Sequence, residues 1–309
     1  MVSYFYKSLR SEKLETTKGF RRGVWIHAEN PSKEEIQELA GNFQLDPGLL
    51  SDALDEDEMP RLEHNGEFVY IYVRAPHVRK FGNFDTVPLL FIFAGDCLIT
   101  VSEQPLGCLQ RFVDGSVNFA TTQRTKLFLQ MMHVIVSQYD DYITETGKQI
   151  KSIRARLRGH EISNKDFLDF VTIEDELNEF LSALQPNNAT LRRLSIGKHI
   201  PLYQEDQNIV DDLLLSTDQS VEASHANIKS IVNIRQAYTA ISSNNLNRTM
   251  KILTVATVLI SLPNTIFGMY GMNIGLPLQH HAWSYMAVVG IVATLLLLIY
   301  LVFKRKKVI

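Results

Sequence analysis

The last 87 residues of this chain contain no Asp or Glu, although the whole carries 34 of them. Residues 1–222 hold all the carboxylate side chains and 23 Lys and Arg, a balance of −11; Ala223–Ile309 keeps 8 Lys and Arg and stands at +8. Two long apolar runs lie in the acid-free part. Met250–Met272 is 23 residues with one charge, Lys251, in its first turn, and Ala282–Phe303 is 22 residues with none. About 20 apolar residues in a helix cross the hydrocarbon core of a bilayer. A buried core helix meets the same length test, but two such runs nine residues apart favour a membrane hairpin. The N-terminal MVSYFYKSLR lacks the apolar segment of a signal peptide.

The flanking charges orient the hairpin. Lys304, Arg305, Lys306 and Lys307 follow the second run, Arg248 and Lys251 stand at the start of the first, and Asn273–His281 between them has no Lys or Arg. By the positive-inside rule both termini are expected in the cytoplasm, at a cell (inner) membrane, with only the hairpin loop on the far side. The overall composition, 45% hydrophobic and 21% charged, excludes wholesale disorder, so the acidic part is expected to fold as a cytosolic body. Cys97 and Cys108 are too isolated for a metal cluster or disulfide framework and read as small core residues in a reducing compartment.

Within the body, Gly23–His27 is strand-like, and Asn30 is expected to cap a helix that has Pro31 at its first position and runs through Phe43. Phe68–Val73, Val87–Phe93 and Cys97–Val101 read as strands, with Asp85 in a turn before the second and a Gly95-Asp96 turn between the last two. From about Thr121 a helical period through Leu127, Met131, Val134, Ile135 and Gln138 extends to Arg158, and another covers Asn164–Leu184. Breaks are expected at Gln185-Pro186-Asn187-Asn188 and at His199-Ile200-Pro201. From Tyr203 to Met272 no Gly precedes Gly268 and no Pro precedes Pro263, while Ile228, Ile231, Val232, Arg235, Tyr238 and Ile241 recur at three and four residues. This predicts one helix of about 65 residues, with a hinge at Ser242-Ser243-Asn244-Asn245 as the alternative, since those residues are poor helix formers.

The expected fold class is an α+β cytosolic N-terminal domain, a long α-helical stalk and two C-terminal transmembrane helices. The divisions are a 1–120 α/β domain, a 121–249 helical region, spans at 250–272 and 282–303, a 273–281 loop and a 304–309 basic tail. No nucleotide-binding P-loop, nucleophile elbow, zinc-protease motif or paired Cys-x-x-Cys occurs, so an enzyme is not expected. The −11 body disfavours nucleic acid as a partner. Transport and sensing remain. A membrane-anchored sensor or scaffold needs no polar residues along its anchor, and Thr254, Thr257, Ser261 and Asn264 count against that reading.

The first span closes on Tyr270-Gly271-Met272-Asn273. Gly and Asn alone are common helix caps. A Gly-Met-Asn directly before a short loop in a two-span chain resembles the CorA family of divalent-cation transporters. The resemblance extends to Met250–Thr254 with Pro263 and Gly268, and to Leu50–Glu63 followed by Phe68–Val73. It implies a homo-oligomer, a homopentamer around the first span, with Gly271, Met272 and Asn273 as selectivity motif and no cofactor beyond transported or regulatory cations. Spacing back from Asn273 gives Gly268, Asn264, Ser261, Thr257, Leu253, Met250 and Asn247 as the lining, with Leu253 and Met250 an apolar constriction. For Thr257 and Ser261 the alternative is a bond to their own helix carbonyls. Between Lys251 and Lys304 only His280 and His281 ionise near neutral pH, so no intramembrane proton relay is expected. The membrane potential, worth about 4.6 kcal/mol to a divalent ion at about −100 mV, leaves no need for a nucleotide site. The resemblance also implies regulatory ions between protomers, for which Asp211 and Asp212, with Asp85, are the candidates. One departure concerns the ion. The loop Ile274–His281 is acid-free and carries His280 and His281, which looks more like the zinc-transporting ZntB branch than the magnesium one. Mg²⁺, with Co²⁺ or Ni²⁺, and alternatively Zn²⁺, are the expected substrates.

Overall fold

The computed structural model describes residues 1–11, 13–78, 84–158, 164–196, 199–273, 275 and 283–305. They divide into two compact units, Met1–Asn233 and Ile234–Ile309.

The first unit is built on a seven-stranded sheet of order β2-β1-β3-β7-β6-β5-β4. Its strands are β1 Val2–Tyr6, β2 Glu15–Thr17, β3 Trp25–Glu29, β4 Arg61–Asn65, β5 Phe68–Val78, β6 Phe84–Ala94 and β7 Cys97–Ser102. Every pairing is antiparallel except β3 with β7. The two hairpins β4–β5 and β6–β7 have two-residue turns that open on Gly66 and Gly95, at φ +62° and +53°, a backbone conformation that favours glycine. The middle strands read as unbroken apolar runs because both faces are covered. On one face Tyr70, Tyr72, Leu90, Ile92 and Ile99 pack with Ile36, Leu39 and Leu50 of helices α1 (Lys33–Phe43) and α2 (Pro47–Asp52). On the other, Phe91 and Phe93 meet Phe128 of α4 (Arg124–Arg158), and Trp25 meets Phe112 of α3 (Gly107–Val113). Burial pushes the thiols of Cys97 and Cys108 up to about 12, which suits the core role expected of them.

Three local expectations are corrected. Asn30 does not cap α1. It sits at φ +43°, while its N–H extends the sheet ladder to Ser102 O; Ser32 is the cap, in a reciprocal box with Glu35. Asp85 is not in a turn but inside β6, opposite His77. The expected break at Gln185–Asn188 is absent: α5 runs Asn164–Ser195 straight through Pro186. Tertiary bonds outweigh the proline penalty there. Asn187, 3% exposed, accepts from Arg74 N–H at 3.0 Å and donates to Arg74 O at 2.8 Å, an amide substituting for a strand on β5 beyond the end of β4.

Helix α6 is unbroken from Gln204 to Tyr270, so no hinge interrupts it at Ser242–Asn245. In the first unit its buried stripe is Val210, Leu213, Thr217, Ser220, Ser224 and Ile231. Thr217 and Ser224 return their hydroxyls to Leu213 O and Ser220 O, and Asn227 donates to Ile143 O of α4 beside Gly147. Asp218 ties α6 to α5 through Arg192 at 2.7 Å and through Asn188. The second unit holds the rest of α6 and α7 (Ser284–Arg305), and both α6 and α7 contain stretches long and apolar enough to cross a membrane.

Asn187→Ala would leave the buried Arg74 N–H unpaired. We expect a loss of about 2 kcal/mol in urea unfolding followed by the fluorescence of buried Trp25. An unchanged midpoint would show that this pairing does not hold α5 to the sheet.

Candidate functional site

The apolar part of α6 has two unlike sides. At roughly 100° per residue, Met250, Leu253, Thr257, Ser261, Asn264 and Gly268 fall within about 40° of one direction, with Asn247 about 80° away. All seven are exposed in the single chain, Leu253 at 59%. Val255, about 160° from Thr257, is 3% exposed, and Leu259, Leu262 and Ile266 beside it are half-buried. The residues expected from sequence to line a path are thus all open and stand opposite buried Val255, while Ile252, Ile260, Phe267 and Met269 on other sides of the helix are exposed as well.

The hydroxyls on this helix are tied back. Thr257 Oγ1 donates to Leu253 O at 2.9 Å and Ser261 Oγ to Val258 O at 3.2 Å, as do Thr254 to Met250 O and Thr265 to Ser261 O. This is the local bonding that was the alternative for Thr257 and Ser261, and it has a chemical consequence. With its proton committed, each oxygen offers only lone pairs outward. A hydrated cation presents water hydrogens, so these uncharged acceptors suit it.

Beyond Tyr270 the helix closes in a turn in which Gly271 N–H bonds Phe267 O and Gly268 O, and Met272 N–H bonds Met269 O. Gly271, Met272 and Asn273 are exposed. Neither Gly271 nor Asn273 has a positive φ, and a Cβ on Gly271 would meet Gly268 O at an ordinary 3.5 Å. Left-handed helix capping therefore does not account for Gly271 or Asn273. His280 and His281 lie outside the described residues.

The three acidic candidates are scattered. Asp211 and Asp212 are exposed on α6 and make no ion pair among the described residues, whereas Asp218 further along is engaged by Arg192. Asp85 accepts from Thr86 N–H within β6. No group of three or more His, Cys, Asp or Glu able to hold a metal occurs among the described residues of one chain. Two carboxylates of the dense Asp52–Glu58 stretch are paired with one arginine. Arg61 bonds Asp52 at 2.7 Å as well as Glu58 and Glu63, and stacks 4.0 Å over Tyr72. Arg74, 7% exposed, caps the carbonyls of Glu56 and Glu58 and reaches Thr86 and Glu179. Sequence reasoning did not single out these arginines. Their signal, isolated cations beside an acidic run, is weak without the fold.

Cysteine substitution separates the two faces of α6, since native Cys97 and Cys108 are buried and burial raises their thiols. Thr257→Cys and Ser261→Cys should react with a charged, membrane-impermeant thiol reagent, and Val255→Cys should not. If Thr257→Cys and Ser261→Cys stay unmodified in folded protein, the open face meets lipid rather than water.

Several known proteins are similar to this chain. A cobalt/magnesium transport protein CorA of Methanocaldococcus jannaschii is 23% identical over 294 residues, covering 92% of this chain and 90% of that protein. The complete structure of the CorA magnesium transporter from Methanocaldococcus jannaschii superposes with a TM-score of 0.87 at 21% identity, covering 99% of this chain and 98% of the other. The ZntB cytoplasmic domain from Vibrio parahaemolyticus superposes with a TM-score of 0.65 at 9% identity over 78% of this chain and 98% of that domain, a likeness of fold alone. Residues 21–305 match the family described as CorA-like Mg²⁺ transporter protein, and the chain therefore belongs to that family of membrane transporters, which are not enzymes.

Proposed function

We propose that the protein is a homo-oligomeric channel for hydrated divalent cations, Mg²⁺ foremost, set in the inner membrane with both termini in the cytoplasm. One observation carries this reading: the open face of α6 is polar and uncharged from Thr257 to Gly268 and stands opposite buried Val255. Two spans per chain cannot enclose a pore, so several copies must bring these faces together. The family resemblance favours five. Mg²⁺ gives up its waters reluctantly, and the ring of Asn273 amides at the end of α6 would hold it through them. Neutral acceptors do not trap a divalent charge. Further along, Leu253 and Met250 would form a narrow apolar section that stops conduction when it dries. Entry of a divalent ion at about −100 mV releases about 4.6 kcal/mol, which suffices without nucleotide hydrolysis.

Regulation by the transported ion fits the exposed Asp211 and Asp212. Carboxylates that face another copy repel it until a cation intervenes, so bound ions would favour the closed ring, with Asp85 the candidate on the facing copy. Zinc is the second reading. It is favoured by His280 and His281 in an acid-free loop, since imidazole suits Zn²⁺ better than Mg²⁺.

Asn273→Ala tests the pore. Uptake of Mg²⁺ into proteoliposomes should fall to background while the oligomer elutes unchanged on a sizing column. Normal uptake by a correctly assembled variant would refute the assignment. Parallel uptake of Zn²⁺ by the parent protein separates the two ions, because the zinc reading requires Zn²⁺ to be carried in preference.

A further inference from the structure

We propose that the pocket between the β1–β2 connection and the start of α4 is an anion site that takes inorganic phosphate or the phosphate of a small monoester. The pocket encloses about 280 Å³ and is lined by Lys7, Ser8, Ser11, Asn118, Lys126 and Gln130, among others. That volume lies just under the range of drug-sized ligand sites, which suits a small ion or a short monoester.

Lys7 is the first reason. It is 8% exposed, and among the described residues its ammonium has no carboxylate within ion-pair distance. Its Nζ donates one long bond, 3.4 Å, to Asn118 Oδ1 and stands 5.3 Å from the Phe119 ring centroid. Two of its three hydrogens remain for another acceptor. Buried charges are ordinarily paired, and this one is held in place. Its backbone N–H donates to Thr121 Oγ1 at 2.9 Å and its carbonyl accepts from Thr121 N–H at 2.8 Å. That anchorage fixes the Lys7 backbone, the point from which its side chain reaches the pocket.

The second reason is independent. Gln123 and Lys126 of the pocket mark the start of α4, a 35-residue helix with no acidic residue in its first turn. The positive end of a helix dipole is stabilised by negative charge, yet Arg124 and Lys126 stand here instead. Two lysines therefore share one cavity, Lys126 from the first turn of α4, with no carboxylate among its described lining residues.

The remaining lining groups can donate. Asn118 has turned Oδ1 to Lys7, which leaves its Nδ2 as a donor, and the hydroxyls of Ser8 and Ser11, 2.9 Å apart, share one hydrogen and keep another. Donors from a strand end, a loop and a helix approach from different directions, which matches a tetrahedral oxyanion better than a planar carboxylate. Charge-assisted bonds of this kind are the strong ones.

Thermal unfolding of the full-length protein in detergent micelles tests the site, with sodium phosphate and glycerol 3-phosphate compared against sodium chloride at equal ionic strength. Phosphate should raise the midpoint saturably beyond the chloride control. Lys126→Gln, at a half-exposed position, should weaken binding by about tenfold or more with little change in the unliganded midpoint. Lys7→Met should abolish the phosphate shift and raise the midpoint without phosphate, because it removes an uncompensated buried charge. A response to inorganic phosphate alone identifies the free ion as ligand, and a response to both admits the monoester. No shift beyond chloride, or an equal shift in parent and Lys126→Gln, overturns the proposal even if Lys7→Met fails to fold.

Discussion

An α-helix satisfies its backbone donors and acceptors internally, and that property lets α6 serve in two unlike settings. In one part its neighbours are the helices of the first unit, and the seam that meets them is made largely of Val, Leu, Thr and Ser spaced at three and four. In the other it is apolar enough to cross a membrane while presenting a line of hydroxyl and amide oxygens. A lone strand or loop could not cross hydrocarbon in this way without exposing unpaired backbone groups. The hydroxyls follow the same rule: their protons go to carbonyls of the same helix, and what is left outward is acceptor capacity without charge.

Charge is handled in three different ways in the acidic body. In the Asp52–Glu58 stretch Arg61 pairs with Asp52 and Glu58, as well as with Glu63, and buried Arg74 fastens the backbone of the same segment to the sheet. Those charges belong to the architecture. Lys7 is the opposite case, a buried cation whose partners among the described residues are a single amide oxygen and a ring face. Asp211 and Asp212 differ again, being exposed and without an ion pair among the described residues on a helix whose next acid, Asp218, is fully engaged.

Much of this was legible in the sequence. The strands at Phe68, Val87 and Cys97 announced themselves as β-branched and aromatic runs, and α4 and the apolar helices by periodicity and length. The misses have local causes. Asn30 reads as a cap by residue type, but sheet pairing holds it at positive φ, which a cap cannot adopt. Pro186 between amide residues reads as a break, and only the fold reveals that Asn187 pairs with Arg74. Thr217, Ser220 and Ser224 belong to the buried stripe of α6 although a hydropathy pattern scores them as polar. Strands β1, β2 and β4 are short and weakly patterned, so pairing rather than composition defines them. At the candidate pathway, the spacing from Met250 to Gly268 was legible, whereas the burial of Val255 behind it needed three dimensions. No ion pair of Asp211 was legible in the sequence, and none forms among the described residues of one chain.

The account rests on passive movement of a hydrated divalent cation down its electrochemical gradient. Uptake into proteoliposomes under a potassium-diffusion potential, with and without an imposed pH gradient, tests this most directly. The account predicts Mg²⁺ uptake that rises with inside-negative potential and is indifferent to the pH gradient. Uptake that follows the pH gradient and ignores the potential would contradict it.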